Sequence, residues 1–172
     1  VCANLPYYIT TPILMRLLEA GREFRSITVM VQKEVAERLC AAKGTAAYGA
    51  LSAAVQYRAA ARRLFIVRAG NFSPPPKVDS AVVRLDPYPA PPVAVTDERL
   101  LFAVIRAAFG QRRKTIVNSL HSVFNTRFTK NELCGMIEEI GFHRECRGET
   151  LDIQEFAALT ERIYKALSEK NV

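Results

Sequence analysis

Long apolar runs are the first thing this chain lacks. Hydrophobic residues make up 49% of its 172 positions, yet no stretch approaches the roughly 18 consecutive apolar residues that a membrane span needs. A soluble protein is therefore expected. The opening residues, Val1 to Thr10, hold no basic cluster of the kind that begins a secretory signal, and a cytoplasmic location is expected. Cysteine is sparse and scattered, at Cys2, Cys40, Cys134 and Cys146, with no CxxC pair. Reduced, mostly buried thiols are the default for such a pattern. His121, Cys134, His143 and Cys146 are the set with four zinc-type donors, but their spacing matches no compact zinc module and Cys134 falls on the apolar stripe of a helix. No metal is expected. Before the proline-rich stretch the glycines are Gly21, Gly44, Gly49 and Gly70, and none stands at GxGxxG spacing, so these residues offer no glycine-rich cofactor loop.

Acidic residues are missing from one long stretch. The net charge is +7, and Arg99 to Lys130 carries seven Lys/Arg and no Asp or Glu, whereas Asn131 to Val172 has five basic residues against nine acidic ones. A block of one sign focuses a field on one face and suits a polyanionic partner. By itself it fits a solvated helix face equally well.

What is present divides at prolines. Asp86 to Val95 (DPYPAPPVAV) holds four prolines in ten residues and reads as a linker. Ahead of it, Val1–Leu5 reads as the end of a strand, with no cap or turn before it, as in a chain starting mid-fold. Thr11 reads as a helix cap, with Pro12 at the first helical position and Gly21 past the end. Ser26–Gln32 (SITVMVQ) reads as a strand buried on both faces, and Lys33–Ala42 as a helix ended near Gly44. Leu51–Arg58, Leu64–Arg68 and Val78–Leu85 read as strands, the last of them forming a hairpin. After the linker everything reads as helix: Arg99–Phe109, Thr115–Phe124, a helix opened by a Thr129/Glu132 capping box and ended by Gly141, and a last helix opened by Asp152 and Glu155. The expected organisation is a sheet domain over residues 1–88, a linker over 89–96 and a helical subdomain over 97–172.

Three segments carry chemistry. Asn4-Leu5-Pro6-Tyr7 directly follows a strand. An exocyclic adenine amine is a poor nucleophile because its lone pair is delocalised into the ring. An Asn side-chain oxygen with a backbone carbonyl, held by a following proline, accepts hydrogen bonds from that amine and steers the lone pair outward, while Tyr7 offers a flat face for an extruded base. Asn71 to Ser80 (NFSPPPKVDS) places Phe72 before a stiff turn that leads into a strand. Phe109 to Leu120 (FGQRRKTIVNSL) puts Gln111, Arg112, Arg113 and Lys114 at a helix junction, with Gly110 breaking one helix and the next starting near Lys114. Forked guanidiniums there suit phosphate oxygens. Taken singly, each segment fits a plain structural role as well: a strand-to-helix turn, a core Phe at a strand end, a solvated basic turn.

Together and in this order, NLPYYITTPI, MVQKEVAERL (Met30–Leu39), NFSPPPKVDSAVV and FGQRRKT resemble the ribosomal RNA small-subunit adenine N6-dimethyltransferase family, whose bacterial members are the kasugamycin-resistance enzymes. The likeness runs from Val1 to about Ala158. It implies an α/β fold: the C-terminal half of a Rossmann-like S-adenosylmethionine methyltransferase sheet, followed by a small all-helical subdomain. It also implies dimethylation of two adjacent adenines near the 3′ end of small-subunit rRNA in ribosome biogenesis, with S-adenosyl-L-methionine as donor and the pre-30S subunit as partner. By the same resemblance Asn4 and the Leu5 carbonyl bind the amine, Tyr7 and Phe72 sandwich the adenine, and Asn4 lies beside the cofactor. Lys33 is a candidate for the pocket rim, and Gln111, Arg112, Arg113 and Lys114 for RNA contact, with Arg62 and Arg63 as a lesser extension. Family members carry a Gly-rich loop and a ribose-binding acid upstream of NLPY. Neither is in this sequence, so the chain alone is expected to be inactive and to bind the donor weakly. Two other readings stand beside this one. One is a large-subunit rRNA adenine methyltransferase of antibiotic resistance, disfavoured by the VDS after the prolines and by FGQRRKT. The other is a non-catalytic RNA-binding assembly factor.

Overall fold

The computed structural model describes residues 1–20, 24–111 and 113–170. They divide into two compact units. One comprises Val1–Ala42 and Val55–Pro92; the other comprises Lys43–Ala54 and Val93–Val172.

The first unit is built on a sheet of β1 (Cys2–Asn4), β2 (Ile27–Gln32), β3 (Ala59–Val67) and β4 (Ser80–Pro87), in the order β1-β2-β4-β3. β1 and β2 are parallel, and β4 runs antiparallel to both its neighbours. Parallel strands need a crossover, and α1 (Thr10–Glu19) supplies it, burying Leu14 and Leu18. Its start differs from the sequence expectation. Ile9 occupies the cap without a side-chain bond, a 3-10 turn over Tyr7–Ile9 leads in, and the Thr10 hydroxyl donates back to the Pro6 carbonyl at 2.9 Å. Gly21 lies outside the described residues. In β2, Ile27, Val29 and Val31 are buried, but Thr28, Met30 and Gln32 only partly so; the strand expected to be covered on both faces is fully covered on one. The helix after it, α2 (Lys33–Leu39), stops short of Ala42, with the Cys40 amide closing on the Ala36 carbonyl.

Leu51–Arg58, read as a strand, is a helix, α3 (Ala50–Arg58). Ser52 opens it by accepting from the Gly49 amide at 3.1 Å, and alanines at 50, 53 and 54 favour helix. Leu51, Ser52, Ala53, Ala54, Val55 and Tyr57 are all buried. A helix covered nearly all round shows no polar face, so its period is hidden in the sequence. β3 begins at Ala59, well before the expected Leu64, and its register shifts between Arg63 and Phe65.

The second unit contains α4 (Glu98–Gly110), α5 (Ile116–Phe124), α6 (Lys130–Glu139) and α7 (Ile153–Lys170). Their N-termini are capped by side chains: Asp97 accepts from Leu100 N, Thr115 from Asn118 N, and Thr129 and Glu132 form a reciprocal box. Asp152 and Glu155 exchange the same pair of bonds at 3.1 and 2.7 Å. Such caps satisfy amides that the helix cannot. Gly141, at φ +86°, ends α6 in the left-handed region that favours glycine. Leu101, Val104, Ile105, Ile116, Leu120, Leu133, Ile137, Phe156, Leu159 and Ile163 form a fully buried core. Lys43–Ala54, expected with the sheet, belongs here instead. Tyr48 is buried and donates its hydroxyl to the Leu151 carbonyl at 2.9 Å, its ring meets Phe109 edge-on, and Lys43 pairs with Asp152 and Glu155 at 2.7 and 3.0 Å.

Candidate active site

The sheet register explains why segments distant in sequence meet. Asn4 of β1 pairs with Met30 and Ser80 of β4 pairs with Gln32. Both pairs lie at the carboxyl end of β2, because β4 runs antiparallel and enters the sheet where β2 leaves it. The chain leaving β1 and the chain entering β4 therefore flank one end of the same strand, the position at which open α/β sheets bind ligands.

A cleft of about 330 Å³ lies there, lined by Asn4, Leu5, Pro6, Tyr7, Phe72, Pro74 and Pro76. Every residue read from NLPY and the Phe of NFSPPP reach the same cavity. Leu5 is buried, with its amide bonded to the Met30 carbonyl at 3.3 Å, which ties the turn to β2. Asn4 is exposed, and among the described residues none hydrogen-bonds its side chain. Pro6 leaves the carbonyl that it contributes to the Thr10 hydroxyl and the Ile9 amide. Tyr7 is half-buried, with its hydroxyl 2.6 Å from Ser80 Oγ. Phe72 is half-buried; its amide bonds the Ala69 carbonyl at 3.2 Å and closes the short turn Ala69–Asn71. The cleft thus has a polar, uncommitted acceptor at Asn4 and two aromatic rings on separate segments.

Lys33 does not line this cleft. It opens α2, its amide bonds the Asp79 carbonyl at 3.0 Å, and its side chain borders a second cavity of about 460 Å³ with Gln32, Glu34, Glu37, Val78 and Asp79. Pro74 and Pro76 as wall residues were not singled out from sequence beyond their stiffness, nor was Ser80 as the partner of Tyr7. The visible signal for Ser80 is a polar side chain directly before the apolar run Ala81–Val83.

In the second unit, Gln111, Arg113 and Lys114 are exposed in the turn between α4 and α5; Arg112 lies outside the described residues. Gly110 is the last residue of α4, and α5 starts at Ile116 with Thr115 as its cap, within a residue of the expected Thr115–Phe124. The Gln111 carbonyl accepts from the Lys114 amide at 2.9 Å and from Ser119 Oγ at 3.5 Å, which holds the turn. Among the described residues, no carboxylate pairs with Arg113 or Lys114. In the first unit Arg62 lies 3.9 Å from Asp86, whose closer partner is Arg84 at 2.7 Å.

The family model for ribosomal RNA adenine dimethylase matches residues 1–159. The chain belongs to that family. Similar curated proteins include the ribosomal RNA small subunit methyltransferase A of Shouchella clausii, 49% identical over 167 residues, and that of Streptococcus pneumoniae, 48% identical over 164. These matches take in 97% and 95% of the chain but 56% and 57% of the relatives, so the chain spans somewhat more than half their length. A dimethyladenosine transferase from Plasmodium falciparum superposes with a TM-score of 0.81 at 27% identity, over 96% of this chain and 66% of that one. The 23S rRNA methyltransferase ErmE superposes at 0.64 with 22% identity, over 95% and 64%, a likeness of fold. The sheet unit of this dimethylase-family chain is accordingly Rossmann-like, and the whole is α/β. Among the described residues, no helix is long and apolar enough to cross a membrane.

Proposed function

We propose that this chain is the base-holding and RNA-holding portion of an S-adenosylmethionine-dependent rRNA adenine N6,N6-dimethyltransferase. Its substrate on this reading is a pair of adjacent adenines near the 3′ end of small-subunit rRNA, in the cytoplasm, during assembly of the subunit. The single observation that carries the reading is the cleft in which Asn4, Leu5, Pro6 and Tyr7 converge with Phe72. Two aromatic rings on separate segments suit a base taken out of its stack. The uncommitted Asn4 amide and the neighbouring Leu5 carbonyl accept from the exocyclic amine. Accepting both of its protons turns the nitrogen lone pair away from the ring, which is the change that makes the amine nucleophilic. Pro6 has no amide hydrogen to compete for those acceptors.

The residues present fit the reactive end of the methyl donor, since Asn4 is exposed beside the cleft with its side chain unspent. When bound, S-adenosylmethionine supplies the electrophilic methyl group. The protein's own part is to hold the amine in line; the proton that the nitrogen sheds passes to solvent, since among the described residues no basic side chain lines the cleft. Gln111, Arg112, Arg113 and Lys114, with Lys33, are proposed to meet phosphates, and the helical unit is proposed to be the RNA-holding piece.

The test is methyl transfer by the full-length protein to a hairpin from the 3′ end of small-subunit rRNA, read by mass spectrometry of the nucleosides. The expected product is N6,N6-dimethyladenosine at two adjacent positions. Transfer only to large-subunit RNA would refute the substrate, and tight RNA binding without any transfer would refute the enzyme.

A further inference from the structure

The turn carrying Tyr7 and the turn carrying Phe72 both hang from one dipeptide, Asp79–Ser80. Ser80 opens β4, is fully buried and is paired on both sides, to Gln32 of β2 and Val67 of β3. A buried hydroxyl in that position needs a partner, and its partner is the Tyr7 hydroxyl at 2.6 Å. The Tyr7 ring is therefore fixed at its far end to the start of an inner strand of the sheet. Asp79 does the equivalent for the opposite wall. Its Oδ1 accepts from the Ala69 amide at 2.9 Å, at the start of the turn whose closing bond, Phe72 N to Ala69 O at 3.2 Å, sets Phe72. The Asp79 carbonyl also accepts from Lys33 N at 3.0 Å, so three segments are gripped at one point.

We infer that Asp79 and Ser80 are positioning residues that set the spacing of the two aromatic walls, so that a base is held at one depth and angle in the cleft. Neither side chain is among those lining the cleft; each acts through a ring or a turn that is. The inference rests on the proposed reading that Tyr7 and Phe72 flank the target base. Its mechanism is orientation: a base allowed to tilt still binds but presents its amine poorly, which lowers turnover more than affinity.

The experiment uses the full-length protein with Ser80→Ala, Asp79→Ala, Tyr7→Phe and the double variant Ser80→Ala/Tyr7→Phe. Two readouts are taken: kcat and KM for methyl transfer to the RNA hairpin, and the fluorescence quench of 2-aminopurine placed at the target position, measured without donor. Ser80→Ala and Tyr7→Phe remove the same bond. Each is expected to lower kcat about fivefold with little change in KM, and the double variant is expected to fall no further. The quench is expected to weaken in all three, and in Asp79→Ala, which removes the acceptor of the Ala69 amide. Effects that multiply in the double variant, or a lowered melting temperature with kcat and quench untouched, would overturn the clamp. Tyr7→Phe keeps the ring on a surface turn, so it serves if Ser80→Ala does not fold. Wild type that quenches and responds to the variants but transfers no methyl would overturn the enzymatic reading and leave the clamp standing. Full transfer with equal quench in every variant would do the reverse.

Discussion

Replacing Phe72 separates stacking from mere space-filling. Phe72 is half-buried at the end of the turn Ala69–Asn71, and that turn is held by bonds that do not involve its ring: Asn71 N to Arg68 O at 3.0 Å, Phe72 N to Ala69 O at 3.2 Å and Ala69 N to Asp79 Oδ1 at 2.9 Å. Truncating the side chain therefore leaves the loop in place. A base stacked on an aromatic ring gains about 1–3 kcal/mol over one facing alanine, which is roughly 5- to 150-fold in kcat/KM. Tyr7 still supplies the second face, so the lower half of that range applies, and Phe72→Ala is expected to cost about tenfold. Phe72→Leu is the informative variant. It restores most of the apolar volume of the wall without a flat face, and it should stay close to alanine, while Phe72→Tyr should stay close to wild type. The assay is transfer of labelled methyl from S-adenosylmethionine to the rRNA hairpin by the full-length protein at subsaturating RNA, with circular dichroism to confirm that each variant is folded. Phe72→Leu at wild-type efficiency would refute the stacking argument and leave Phe72 as a packing residue of the loop.

Replacing Arg113 and Lys114 together with Ala should weaken binding to a cognate hairpin and a scrambled RNA alike, and should flatten the dependence of log affinity on log salt by up to ~2 units; an unchanged slope would make the turn a solvated one. Tyr48→Phe leaves the buried Leu151 carbonyl without its donor and should cost about 1 kcal/mol, lowering the melting temperature by roughly 3 °C. No shift would mean that Lys43–Ala54 is not anchored to the helical unit. The Glu132 carboxyl is held down at about 2, first by the Lys170 ammonium and then by the Thr129 amide and hydroxyl. A depressed carboxylate contributes stability that is present above its unfolded value and lost as pH falls through its folded one, so the melting temperature should decline between about pH 4.5 and about 2, and less steeply in Glu132→Gln. Equal acid profiles for the two proteins would count against the pairing.

The helical unit was more legible in the sequence than the sheet unit, for a local reason. Its helices are amphipathic and announce their ends with caps, Thr129 with Glu132 and Asp152 with Glu155, which depend only on residues three apart. α3 announced nothing. From Ala50 to Val55 its apolar and small residues run without interruption, Leu51 to Val55 all being buried, and β-branched Val55 with aromatic Tyr57 favours a strand reading. Assigning Lys43–Ala54 to the sheet failed for a related reason. What ties that segment to the residues leading into α7 is tertiary, Tyr48 to Leu151 and Lys43 to Asp152, and residues about a hundred positions apart leave no local trace.

The candidate site divides along the same line. Each half of the cleft was visible, because a polar acceptor, a proline and an aromatic ring in NLPY, and an aromatic ring before stacked prolines in NFSPPP, are short-range patterns with short-range physics. That the halves share a cavity depends on strand order. If β4 lay beyond β3, or ran parallel to β2, Ser80 would not meet Gln32 and Phe72 would open at the other end of the sheet from Asn4. The antiparallel entry of β4 beside β2 is therefore the feature that turns two separate motifs into one site. Lys33 shows the limit of placing residues by strand ends alone. It too follows the carboxyl end of β2, yet with its amide taken by the Asp79 carbonyl it borders the neighbouring cavity instead. Position along the strand put Lys33 at the right level of the sheet, and the path of the segment leading into β4 decided on which side of that segment its side chain fell.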